Sequence, residues 1–149
     1  MRDIDKALFA AAKAGSADAM ADLLTQGANA KAADFMNVTP LMVAVLRDHV
    51  RCVEALLPFS DANAVDGEGA SALIYAAQHM RLDCAKALVA ASDLDRKDAG
   101  GRTAMDHSRA CGDVELLALL EACSLAQREA KELARAAPLS HHADAPSRL

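Results

Sequence analysis

The chain of 149 residues has no tryptophan, one tyrosine and three phenylalanines, so its core cannot rest on large aromatic side chains. No stretch of apolar residues approaches the ~18 that a membrane-spanning helix requires, and no membrane role is expected. Basic charge is not in excess: 16 Lys+Arg stand against 21 Asp+Glu, for a formal net charge of −5. A nucleic-acid binder ordinarily presents a basic face, and that class is set aside. The opening M-R-D-I-D-K carries two acids by Asp5 with no uninterrupted apolar run behind them. No secretory signal peptide is read there. The four cysteines, Cys52, Cys84, Cys111 and Cys123, contain no C-x-x-C pair, which argues against a zinc site or a redox motif. No metal or other cofactor is expected.

What the chain does have is alanine, 36 residues of it, and a period. Asp34, Asp66 and Asp98 stand 32 residues apart, and each opens a similar segment: D-F-M-N-V-T-P-L at 34–41, D-G-E-G-A-S-A-L at 66–73 and D-A-G-G-R-T-A-M at 98–105. Thr39, Ser71 and Thr103 align, as do Leu41, Leu73 and Met105, then Ala44, Ala76 and Ser108, then Leu56, Leu88 and Leu120. Cys52 and Cys84 fall in one slot of two successive units, where a small buried apolar residue is expected. Cys111 falls where a surface residue belongs, with nothing beside it in sequence to lower its pKa strongly. A fixed period in this range marks a stacked repeat, whose function lies on a surface.

One unit reads from its residues. Asp34 to Asn37 form a turn whose fourth position is Asn37, Gly69 or Gly101, residue types that tolerate left-handed backbone. Thr39 has the side chain of a helix N-cap, and Pro40 follows at the first helical position. Leu41, Ala44 and Val45 give a short apolar face. A second helix carries Val50, Val53, Leu56 and Leu57, and Pro58 ends it. The periodicity predicts helices near 5–14, 18–26, 40–47, 50–57, 72–79, 82–90, 104–111 and 114–122, with a further one near 124–136.

These segments resemble the ankyrin D-x-x-G-x-T-P-L-H-x-A-A line, and Q-G-A-N-A-K-A-A-D at 26–34 resembles the connector of that family. The wording A-L-I-Y-A-A with C-A-K-A-L-V resembles expanded ankyrin families of parasitic protists, some of them fused to kinase domains. The resemblance covers about residues 4–122 and implies an all-α fold: an ankyrin-repeat solenoid of stacked helix-turn-helix units with hairpin-like turns. The array would occupy 1–123, in units of about 4–33, 34–65, 66–97 and 98–123, followed by a C-terminal helix at 124–137 and a disordered tail at 138–149. The family's glycine before the second helix is Gly15, Asp48, Met80 and Gly112 here, so Met80 should be mildly strained. Asp106, His107, Ser108 and Arg109 replace apolar or alanine residues of inner units and fit a polar C-terminal cap.

Other motifs carry less. Gly67, Gly69 and Ala72 spell G-x-G-x-x-A, but no hydrophobic strand precedes them, as a dinucleotide fingerprint requires. D-A-N-A-V-D-G at 61–67 resembles the start of a calcium loop, yet Val65 holds a ligand position and Ala72 stands where glutamate should be. Asp106, His107 and Ser108 are helical neighbours pointing about 100° apart and cannot form a catalytic triad. His49 matches the G-H position of the family and is expected to bond nearby backbone. His141 and His142, a weak pair for metal, fall in the tail.

The resemblance implies a non-catalytic scaffold module, not an enzyme, that binds a protein partner through its concave face. Carried over residue by residue, the partner-binding positions are Phe35, Met36, Val38, Leu46, Arg47, Glu68, Gln78, His79 and Arg102. Unit two stands out: Phe35, Met36, Val38 and Leu46 are apolar, with Arg47 beside them, and binding hot spots favour such a mixture. Packing of Phe35 and Met36 back onto the neighbouring turn is the competing reading. The alternative function is a regulatory or targeting ankyrin segment of a larger enzyme such as a kinase. Met1 and a first unit without its turn suggest a complete chain. A cytoplasmic monomer is expected. Ser147-Arg148-Leu149, a variant of a peroxisomal address, leaves peroxisomal import as the alternative.

Overall fold

The computed structural model describes the backbone of residues 1–144 and side chains through residue 136. Eight α-helices follow in order: α1 (Asp3–Ala14), α2 (Ala17–Thr25), α3 (Pro40–Leu46), α4 (Val50–Leu56), α5 (Ala72–Gln78), α6 (Leu82–Leu88), α7 (Ala104–Cys111) and α8 (Val114–Asp144). A 3-10 turn, Leu57–Phe59, closes α4 around Pro58. Among the described residues there is no strand, only an isolated antiparallel bridge between Val65 and Ser71 in a connector. The solenoid of helix pairs is therefore present as its period implied.

The pairs stack in two layers. In the inner layer α3 packs on α1 and α5, and α5 packs on α7; in the outer layer α4 packs on α2 and α6, and α6 packs on α8. The aligned leucines Leu56, Leu88 and Leu120 are all fully buried between layers, as are Cys52, Cys84 and Leu116 in the next register. Alanine fills the close approaches: Ala12, Ala44, Ala76, Ala77 and Ala85 have no exposed surface. Thr39 and Ser71 cap α3 and α5 by accepting from Met42 N and Ile74 N at 3.4 Å. At α7, Thr103 and Asp106 form a reciprocal capping box.

Each turn is built around its aspartate. Asp34 Oδ1 accepts from the backbone N–H groups of Met36 and Val38, Asp66 Oδ1 from Glu68 and Ala70, and Asp98 Oδ1 from Gly100 and Arg102, all at 2.8–3.0 Å. The fourth turn position is left-handed in all three copies, at Asn37, Gly69 and Gly101. A side chain at Gly69 would place its Cβ 3.0 Å from Ala99 N, so glycine there also permits the next turn to approach. Successive turns are stitched together by backbone: Gly67 N donates to Met36 O, and Ala99 N donates to Glu68 O, both at 2.9 Å.

The slot before each second helix is left-handed in all four units, with φ of 76° at Gly15, 60° at Asp48, 57° at Met80 and 74° at Gly112. Met80 thus takes the strained backbone expected of it. His49 Nε2 lies 3.2 Å from Lys13 O, and Arg81 Nη2 donates to Leu46 O at 3.2 Å. Both side chains tie the end of the preceding inner helix to the next unit.

The expected boundaries change at the C-terminal end. No break separates 114–122 from 124–136: α8 is one helix that continues to Asp144. The segment E-A-C-S-L-A-Q-R at 121–128 contains neither glycine nor proline to stop it. Buried Ser124 and half-buried Gln127 dock it, with Gln127 Nε2 donating to Val89 O and Ser92 O at 3.3 and 3.1 Å. From Arg128 to Ala136 the helix is exposed on every side. The segment 138–149, expected as a disordered tail, overlaps α8 at 138–144, and 145–149 lie outside the described residues. Ser108 also departs from a polar outer cap: it is fully buried and donates to Ala104 O at 3.0 Å.

Truncating a fully buried leucine leaves a cavity in a core that other units share. Leu56→Ala and Leu88→Ala should each destabilise the fold by about 2–5 kcal/mol in urea denaturation. Unchanged midpoints would mean that the aligned leucines do not hold the stack.

Three aspartates set the acid limb of stability. The Arg2 guanidinium, with the Asn29 N–H behind it, holds Asp5 below the usual carboxylate range. The Arg102 N–H and then His107 do so for Asp98, and the Thr103 N–H does so for Asp106. A carboxylate whose folded pKa is lowered stabilises the fold above its unfolded value and loses that contribution as pH falls through the folded one. Stability should stay level down to about pH 5 and decline below about pH 4. Denaturant melts at stepped pH check this, and Asp98→Asn should make the decline shallower.

Candidate functional site

The turn tips and the inner helices form one side of the solenoid, and the site residues expected from the sequence fall there in two groups. Met36, Val38, Glu68 and Gln78 come together along a groove of about 380 Å³ between the second and third turns and α5. Tyr75, Asp66, Gly67 and Ala70 complete its wall. Phe35, Leu46, Arg47, His79 and Arg102 do not line that groove; all five are exposed. Phe35 is 95% exposed, so it does not fold back onto the neighbouring turn, and Met36 is 56% exposed at the rim. Val38 is half-buried and packs against the core, which leaves it less to offer a partner than its position in the turn implied. His79 stacks its ring obliquely toward Tyr75, with centroids 6.5 Å apart.

The groove owes its shape to the turn lock. With Asp34 and Asp66 consuming the loop N–H groups through one carboxylate oxygen each, the tips cannot relax inward to cover Phe35 or Met36. Asp66 uses its second oxygen as well, accepting from the Tyr75 hydroxyl. Burial, reinforced by this carboxylate, pushes the Tyr75 hydroxyl pKa upward. Tyr75 and Asp66 were not among the residues picked from the sequence. The signal was available: the chain's one tyrosine stands nine residues after a repeated aspartate.

Among the described residues, Asp106, His107 and Ser108 form no catalytic constellation. Asp106 is spent on the Thr103 N–H, His107 on Asp98 at 2.7 Å and Ser108 on a helix carbonyl. Among the described residues, no group of three or more His, Cys, Asp or Glu side chains is arranged to hold a metal ion. No helix among them is long and apolar enough to cross a membrane. The buried cysteines are quiet: burial, with Asp48 beside it, pushes the Cys84 thiol up to about 12, and burial also raises Cys52.

Two family models match the chain: the one described as ankyrin repeats (3 copies) over residues 2–66 and the one described as ankyrin repeat over residues 68–99. The chain belongs to the ankyrin-repeat family. Ankyrin repeats are in general protein–protein interaction modules, and the family is typically non-catalytic. A comparison with curated proteins found no match. The helices of the fourth unit lie beyond the matched residues, yet α7 and α8 repeat the inner and outer helices of the others.

Thiol reactivity gives a check on this surface. Iodoacetamide should alkylate exposed Cys111 in the folded protein and leave Cys52 and Cys84 unmodified until denaturant is added. Peptide mapping by mass spectrometry reads the order of labelling.

Proposed function

We propose that this chain is a non-catalytic scaffold module that binds a protein partner through its concave face, centred on the second turn. The observation that carries this reading is the exposure of Phe35 and Met36 on a turn whose backbone is held fixed by Asp34. Apolar side chains gain nothing from water there, and a clustered apolar patch usually marks an interface. Leu46 and Arg47, at the exposed end of α3, extend the patch with one further apolar residue and a cation. Arg47 is well suited to bond carbonyl or carboxylate groups of a bound chain. Glu68, Gln78, His79 and Arg102 supply a polar surround that would fix orientation more than affinity.

The test separates binding from folding in one variant. Phe35→Ala combined with Arg47→Ala should leave the melting temperature nearly unchanged, since both side chains are exposed. It should weaken binding to a protein partner, identified by cross-linking and mass spectrometry, by at least ~2 kcal/mol. A strongly lowered melting temperature, or full affinity, would overturn the assignment of this face.

A further inference from the structure

The three turn aspartates are not equally satisfied. In the third unit the Tyr75 hydroxyl donates to Asp66 Oδ2, and in the fourth His107 Nε2 lies 2.7 Å from Asp98 Oδ2. In both, the partner stands nine residues after the aspartate on the inner helix. The residue nine after Asp34 is Val43, which has no donor. Asp34 Oδ1 accepts the two loop N–H groups as its counterparts do, but no hydrogen bond closes its Oδ2 among the described residues. The unit therefore has the acceptor of its neighbours without the donor.

The same aspartate lines a groove. Asp34 and Val43 line a space of about 310 Å³ together with Phe9, Lys6 and Lys13 of α1. Phe9 and Val43 give it an apolar floor. Neither lysine takes part in an ion pair among the described residues. Two unpaired lysines oppose a cationic donor, which leaves a neutral one, and they favour acidic groups at the rim. An apolar floor beside an acceptor suits a ring that carries a hydroxyl.

We propose that this groove receives a tyrosine side chain of the partner polypeptide, flanked by acidic residues. The ring lies against Phe9 and Val43, the hydroxyl donates to Asp34, and the flanking carboxylates meet Lys6 and Lys13. The bound tyrosine supplies in trans the donor that Tyr75 supplies in cis one unit further on. This rests on the reading that the concave face binds a protein, and it names the chemistry of what one end of that face takes.

The probe is the capped pentapeptide Ala-Glu-Tyr-Glu-Ala, titrated into the full chain and followed by backbone amide shifts. Shifts should centre on Asp34, Met36 and Val38. Replacing its tyrosine by phenylalanine should weaken binding about tenfold, the loss of one hydrogen bond to a charged acceptor. Replacing both glutamates by lysine should weaken it by at least as much. Val43→Tyr should raise the melting temperature and abolish binding by closing Asp34 from within. Should that variant not fold, Lys13→Glu, on an exposed residue, should reduce binding several-fold. Equal affinity for the phenylalanine peptide, full binding by folded Val43→Tyr, or no shifts at the second turn would each overturn the proposal. If the peptide fails while Phe35→Ala with Arg47→Ala still weakens partner binding as expected, the concave-face reading stands and this one falls.

Discussion

Five of the eight helices are only seven residues long or slightly longer, and a helix of that length is not stable alone in water. Everything else in the protein depends on that constraint. Each helix pair must bury its apolar face against the next pair, and the chain meets the requirement by repeating one register. Leu56, Leu88 and Leu120 occupy the same buried position, and alanine at the crossings lets the layers approach. The stitching of one turn to the next through Met36 O and Glu68 O extends the same coupling to the opposite edge. Stability in such an array is close to a sum of unit terms and neighbour terms, so no unit can be judged by itself.

The aspartate of each turn converts this stacking into a surface. A carboxylate that accepts two loop N–H groups leaves the loop with no polar reason to collapse, and the side chains between those N–H groups are pushed outward. Met36 is held up in this way next to exposed Phe35, and Glu68 is the equivalent of Met36 in the next turn. The fixed backbone matters for binding because less conformational freedom is lost on association. Variation is confined to what the lock does not use: the tip residues and the inner-helix residue that does, or does not, close the second carboxylate oxygen.

Much of this was legible in the sequence because the period repeats physical requirements along with letters. The left-handed slots at Asn37, Gly69 and Gly101, and at Gly15, Asp48, Met80 and Gly112, could be read from alignment of the units, and so could the burial of Cys52 and Cys84. What escaped was whatever differs between units or extends beyond them. Val43, Tyr75 and His107 share a slot yet have unlike side chains, so aligning like residues passed over it, although the nine-residue spacing from the aspartate was there to be read. Ser108 looked polar and outward, but its hydroxyl is spent on a carbonyl of its own helix and the side chain is buried. The continuity of α8 was missed because its apolar stripe thins after Leu120, while polar Gln127 provides the contact that holds the extension.

The central claim is that the turn-tip face, and not the outer helices, meets the protein partner. Hydrogen exchange on the chain with and without its partner tests it most directly. The account predicts that protection is gained at amides of residues 35–38 and 67–70, with the outer helices α2, α4 and α6 unchanged. Protection confined to those outer helices, with the turn tips exchanging as they do in the free chain, would contradict it.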